Sequence, residues 1–242
     1  MLNRRAQSAQ RALFAWALLG LLACALLPWY FPQDLTIWAA MRGAWAGEAT
    51  GSALTQALEH GRAWLALVMV ALAVAGFAGF MPAGRAQGRV LVAASVAGLL
   101  VVLGGGFAVG LRGWSFDLLN AWFGELPRGQ IGLGLGGAFA LLSLLMVLGA
   151  GLARLGRFRG DLFVAGAVVL CSGLLLLFVA LPVGKALMGA FLDDTGAWSI
   201  AVVGERLGNE RIWGLACLAG GVLGGREIGR FLMDKKQIGK LD

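Results

Sequence analysis

The sequence predicts an all-α fold, a polytopic membrane helical bundle of five to six transmembrane helices. Three observations lead there. Hydrophobic residues make up 59% and charged residues 14% of the 242-residue chain, whereas soluble domains carry about a quarter charged. Mean hydropathy is +0.80, which suits a bilayer rather than water as solvent. Five apolar runs (12–31, 63–81, 90–111, 131–152 and 162–182) contain no Asp, Glu, Lys, Arg or His. Each is close to the roughly 20 residues that cross a hydrocarbon core.

The first run follows a basic start, Arg4, Arg5 and Arg11, and resembles a secretory leader. "LLAC" (Leu21 to Cys24) even looks like a lipoprotein cleavage box. The apolar sequence continues through Leu26, Leu27 and Trp29, where a cleaved protein would turn polar, so an uncleaved anchor is expected. In the loop that follows, "SALTQALEHGRAWLALV" has helical spacing with Ser52 as N-cap. It is expected to lead straight into the second run. "AGRAQGR" joins the second and third runs and "ARLGRFRGD" the fourth and fifth, leaving no room for a domain on that side.

Small residues four apart (Ala71, Ala75 and Gly79; Gly132 and Gly136) predict close helix packing. Gly104 to Gly106 in the third run either pack in the same way or break the helix and expose backbone to a substrate. "GLGLGG" (Gly132 to Gly137) faintly resembles a phosphate loop, but the sequence offers neither a preceding strand nor the lysine. A sixth run, 212–225, is short and rich in glycine.

Basic residues orient the bundle. With the N-terminus in the cytoplasm, 13 of the 20 Lys and Arg lie inside, in four groups: Arg4 to Arg11, Arg85 and Arg89, Arg154 to Arg159, and Arg226 to Lys240. The seven outside are Arg42, Arg62, Arg112, Arg128, Lys185, Arg206 and Arg211. Nine of the 13 acids lie outside, so the inner face is basic and the outer face slightly acidic. The basic balance thereby faces anionic lipid, and nucleic acid is not needed to explain it. This count assumes six crossings. Eight tryptophans (Trp29, Trp38, Trp45, Trp64, Trp114, Trp122, Trp198 and Trp213) fall at or beyond the outer boundary, and Trp16 on the inner half. Indole favours that interface, so the outer loops are expected to lie on the membrane surface.

Chemistry is sparse. Cys24, Cys171 and Cys217 sit in apolar sequence without paired spacing, and His60 is the sole histidine. That pattern carries no clustered His/Cys zinc site, and no cofactor is expected. No H-E-x-x-H, nucleophile elbow or intramembrane carboxylate pair occurs, so the chain is not expected to be an enzyme. Charge-free runs disfavour a proton pump or ion-coupled carrier, which place ionisable groups within the membrane. An ATP-driven transporter is free of that constraint because a separate subunit supplies its energy.

The stretch 162–213, "DLFVAGAVVLCSGLLLLFVALPVGKALMGAFLDDTGAWSIAVVGERLGNERIW" with its preceding Asp161, carries a pattern. Pro182 ends an apolar run, then come Ala190-Phe191, Asp193-Asp194, Gly196, the amphipathic "WSIAVVGERL" and Trp213. This resembles the opening of the core of a binding-protein-dependent ABC importer permease. "LLPWY", "LTQALEHGRAWLAL" and "GFAVGLRGWSF" are similar to the extra N-terminal spans of the large iron(III)-type permeases. The resemblance implies two regions: residues 1–161, four accessory spans, and residues 162–242, the start of the permease core with a short basic cytoplasmic tail. It implies an inner (plasma) membrane of a bacterium as location, with an ABC ATPase and a periplasmic binding protein as partners. It also makes Asp193, Asp194 and Glu205 candidate partner-facing residues. For the two aspartates a solvated Asp-Asp-Thr-Gly turn is the simpler reading, and Fe(III) ligation by two neighbouring carboxylates alone would be a poor site. The sequence departs from the family in lacking the cytoplasmic E-A-A-x-x-x-G loop that docks the ATPase, and "GGVLGGREIGRFLMDKKQIGKLD" turns polar. The chain is therefore expected to be the N-terminal part of a longer permease, truncated or frame-shifted near Gly221. The rival reading is a stand-alone accessory or scaffold protein with no transport path.

Overall fold

The computed structural model describes residues 2–32, 36–44, 49–110, 113–115, 117–126, 130–191 and 199–208. The first helix, α1 (Leu2–Leu26), carries the first run, and its segment Ala9–Leu26 is long enough to cross a membrane. The run was expected to reach residue 31. It leaves the helix at Leu27 because Pro28 has no N–H to continue the ladder, and the chain becomes a short strand, β1 (Tyr30–Pro32).

Two short helices follow. Thr36 caps α2 (Ile37–Arg42). Ser52 caps α3 (Ala53–Glu59), its Oγ accepting from the Thr55 N–H at 3.3 Å, as the sequence predicts. The expected continuous passage into the second run does not occur. Gly61 takes a left-handed conformation (φ +68°), which ends α3 and starts α4 afresh at Trp64–Ala78. At 15 residues α4 is about 22 Å long, short of a hydrocarbon core of about 30 Å.

The third run forms α5 (Arg85–Ala108). It begins five residues earlier than its apolar sequence and runs through Gly104, Gly105 and Gly106 without a break. A tight hairpin, β2 (Val109–Gly110) with β3 (Gly113–Trp114), leads to α6 (Asp117–Phe123). Then β4 (Gln130–Leu133) pairs antiparallel with β1, a contact across a hundred residues. Gly132 therefore lies in a strand, while Gly136 lies in the first turn of α7 (Leu135–Arg154). The two do not share a helical face.

A tight turn closes the other end. Gly156, Phe158, Arg159 and Gly160 all have positive φ, and Asp161 then caps α8 (Leu162–Leu175), its Oδ1 accepting from the N–H groups of Phe163 (2.8 Å) and Val164 (3.1 Å). Pro182 does not end this helix as the apolar run predicts. A π-helical stretch, Leu176–Ala180, precedes it and α9 (Leu181–Ala190) carries on. Widening the helix frees the carbonyls that the proline ring and its missing N–H disturb.

Among the described residues, four helical stretches are long and apolar enough to cross a membrane: Ala9–Leu26, Arg85–Ala108, Leu135–Arg154 and Leu162–Ala190. The shorter α4 is the fifth apolar helix. The all-α class holds, with four short strands besides. The sixth candidate, 212–225, lies outside the described residues. The chain divides into two compact units, Met1–Leu181 and Pro182–Asp242.

In the first unit α7 is central. It packs against α1, α5 and α8, while α4 packs against α1 and α5. Glycines set the spacing. A methyl on Gly98 would lie 2.8 Å from Leu144 Cδ2 and 3.1 Å from Ala71 Cβ, and one on Gly149 2.9 Å from the Gly166 backbone. Ala71, Ala75 and Gly79 do form one buried face. The outward faces are apolar: Leu18 and Leu22 on α1, Leu67 and Phe77 on α4, Leu100 on α5, Phe163 and Leu175 on α8. Such an exterior is costly in water and ordinary in lipid.

The described part of the second unit is α9 from Pro182, Phe191, and Ser199 leading into α10 (Ile200–Leu207). The Ser199 N–H donates to the Phe191 carbonyl at 2.9 Å, so the two ends of the intervening segment are held together.

Candidate functional site

The loops at one end of the bundle fold into a cap. Its backbone is tied to the helix ends. The Trp29 N–H donates to Gly51 O (3.1 Å) and the Ser52 N–H to Ala44 O (2.9 Å), while Thr50 Oγ1 donates to Gly43 O (2.8 Å). The N-terminus of α7 meets the C-terminus of α1 here. Gly134 N–H donates to Trp29 O at 2.7 Å and Gly136 N–H to Pro28 O at 2.9 Å. Helix N-termini bind anions through free N–H groups. At "GLGLGG" a strand does precede the helix, contrary to expectation, but these N–H groups are already occupied by carbonyls. The phosphate-loop reading stays rejected on that ground.

The cap encloses one deeply buried cation. Arg62 is 2% exposed. Its Nη1 donates to the Gln56 side-chain oxygen, its backbone N–H donates to Gln56 O at 3.0 Å, and its guanidinium lies 5.2 Å from the centre of the Tyr30 ring. Gln56 itself is fully buried. A buried guanidinium requires hydrogen bonds and a polarisable face to offset lost hydration, and α3, the Gly61 turn and β1 together supply them. Burial pushes the Tyr30 phenol above its ordinary range, while the Arg62 charge and Trp64 act in the opposite direction. Composition gave no sign of this cluster. Arg62 reads in sequence as one of seven outer basic residues, and Gln56 as one position of the helical stretch that begins at Ser52.

Beside it lies an aromatic group. Trp64 is 5.0 Å from Trp114 and 4.7 Å from Phe123, centre to centre, and Trp114 Nε1 donates to Gly124 O at 2.8 Å. The outer tryptophans thus divide. Trp29 is buried, Trp64 and Trp114 are packed, and Trp38 and Trp122 are exposed. Trp45, Trp198 and Trp213 lie outside the described residues.

Of the candidate partner-facing residues, Asp193 and Asp194 lie outside the described residues. Glu205 is exposed on α10, where Ile200, Val203 and Leu207 share the other face. Lys185, counted with the outer loop in the sequence, falls instead within the helical stretch Leu162–Ala190, five residues before its end.

At the opposite end, Gln87 is fully buried and its Nε2 donates to Ala78 O at 2.9 Å, tying the start of α5 to the end of α4. Between α4 and α5 runs a groove of about 430 Å³ lined by Leu67, Val70, Val74, Ala93, Ala97 and their apolar neighbours. Among the described residues no group of three or more His, Cys, Asp or Glu could hold a metal ion. No protein-family profile matches the chain, and no curated protein and no solved structure does.

Proposed function

We propose that the chain is a membrane-spanning permease component of an ABC importer of the iron(III) type, with its N-terminus in the bacterial cytoplasm and the cap on the outer face. The observation that carries this reading is the sequence pattern of residues 162–213, set in a chain whose apolar helices are long enough to span. The charged residues of the four long helices (Arg11, Arg85, Arg89, Arg154 and Lys185) fall near their ends. The middle of each helix therefore has no ionisable group for ion coupling, and energy would come from a separate ATPase. A periplasmic binding protein would meet Asp193, Asp194 and Glu205.

A second reading, an accessory or scaffold protein without a transport path, is favoured by one observation. The groove between α4 and α5 is lined by aliphatic side chains and offers a polar solute no hydrogen-bond partner. Affinity purification of the tagged full chain from its native membrane decides between them. The importer reading expects a nucleotide-hydrolysing subunit and a solute-binding protein to co-purify. Recovery of the chain with neither would overturn it and leave the scaffold reading.

A further inference from the structure

The cap is thin. Each of its described elements reaches a helix end directly or through one neighbour: α3 touches α1 and α4, β1 and β4 touch α7, β2 touches α5, α2 lies on β1, and β3 and α6 reach the start of α4 where Trp114 and Phe123 pack on Trp64. One layer of helix is about 10 Å across, and the head-group zone of each leaflet is about 5–8 Å deep. A one-layer cap on the ends of spanning helices therefore sits at head-group depth.

Its rim exposes large apolar side chains in an ordered way. On α6, Leu118 and Trp122 lie four apart on one face and are 61% and 71% exposed. Phe123 turns inward onto Trp64, and Asn120 lies on the side opposite Leu118. On α2, Trp38 is 74% exposed and lies opposite the buried Ala40, and Ile37 at the start of the helix is 51% exposed. The helix flanks below are themselves uncovered and apolar, including Leu22 and Leu26 on α1 and Leu100 on α5. An exposed indole beside aliphatic side chains, at head-group depth and above a lipid-facing flank, is interface chemistry.

We propose that α2 and α6 are interfacial anchors: the face of α6 bearing Leu118 and Trp122, and the face of α2 bearing Ile37 and Trp38, insert into the lipid head-group and acyl boundary. The cap would then be held at a fixed depth by lipid on its rim and by Arg62 and the backbone ties within. The inference depends on the bundle spanning a bilayer and not on the importer assignment.

Spin labels test it. Single cysteines at positions 100, 118, 120 and 122 (Leu100→Cys, Leu118→Cys, Asn120→Cys, Trp122→Cys) are introduced with Cys24, Cys171 and Cys217 replaced. They are labelled and reconstituted in phosphatidylethanolamine–phosphatidylglycerol vesicles. Collisions with oxygen should exceed those with a water-soluble nickel chelate several-fold at 100, 118 and 122, and the order should reverse at 120. Nickel dominance at 118 and 122 with oxygen dominance at 100 overturns the anchors alone. Suppressed collisions with both reagents at 118 and 122 also overturn them, because a protein surface then covers that face. Nickel dominance at 100 as well overturns the bilayer reading. As a check free of cysteine variants, brominated lipid should quench the emission of the unmodified protein more than that of Trp38→Phe/Trp122→Phe. Equal quenching would contradict the anchors.

Discussion

Gly136→Ala is the sharpest test of how the cap joins the bundle. A methyl there would lie 2.7 Å from Leu27 O and 3.1 Å from both Ala23 O and Pro28 O. All three are backbone atoms, so no rotamer change relieves the clash. Ordinary contact begins near 3.4 Å, which requires a shift of about 0.7 Å between α7 and the end of α1. That shift would stretch the 2.9 Å Gly136–Pro28 bond beyond hydrogen-bonding range and weaken the 2.7 Å Gly134–Trp29 bond. Overpacking costs about 1–3 kcal/mol, and a buried, unmade backbone bond about as much again. Alanine returns up to about 1 kcal/mol of helix propensity. The net loss expected is about 1–5 kcal/mol. Gly105→Ala is the control, since nothing lies within 4 Å of a methyl placed there. It should be neutral or stabilising by up to about 1 kcal/mol. Titration with SDS in detergent micelles, followed by tryptophan emission, reads both. Equal stability of the two variants, or a larger loss for Gly105→Ala, would refute the close-approach reasoning.

Three further outcomes are expected. Arg62→Ala removes the guanidinium that donates to the buried Gln56 oxygen and lies over Tyr30 and should cost about 1–3 kcal/mol, whereas Arg62→Lys should cost less but still lose the planar contact with Tyr30; the same SDS titration separates them. Tyr30 is held above its ordinary pKa, so its contribution to stability is complete below the unfolded value of about 10 and is lost as pH rises above it. Tyr30→Phe should therefore flatten the alkaline limb of a stability-versus-pH curve, and an unchanged limb would show that the phenol does not control it. Asp161→Ala should lose about 1 kcal/mol of capping at the start of α8 and Asp161→Asn much less, read by amide exchange at Phe163 and Val164.

What sequence revealed and what it hid follow from the range of the forces involved. Apolar runs report helices in lipid because every backbone group must bond within its own segment, so α1, α4, α5, α7 and α8 could be located. Their ends were less legible. α5 starts at Arg85, five residues before its apolar run, and a π stretch ahead of Pro182 lets α9 carry on where apolarity alone announces an end. Ser52 was readable because N-capping is local. The pairing of Tyr30 and Phe31 with Leu133 and Gly132 was not, being a short register set by tertiary contact. Gln56 and Arg62 likewise meet only because Gly61 reverses the chain between α3 and α4.

The central claim is a bilayer bundle with the Trp-rich cap outside and the short turns inside. Thiol labelling of intact cells with a membrane-impermeant maleimide tests it most directly, using Asn120→Cys in the cap and Arg157→Cys in the turn between α7 and α8, each without the native cysteines. Labelling is expected at position 120 in intact cells and at 157 only after the membrane is opened. Labelling at 157 but not 120 in intact cells would contradict the orientation, and equal labelling of both would contradict the membrane-spanning bundle itself.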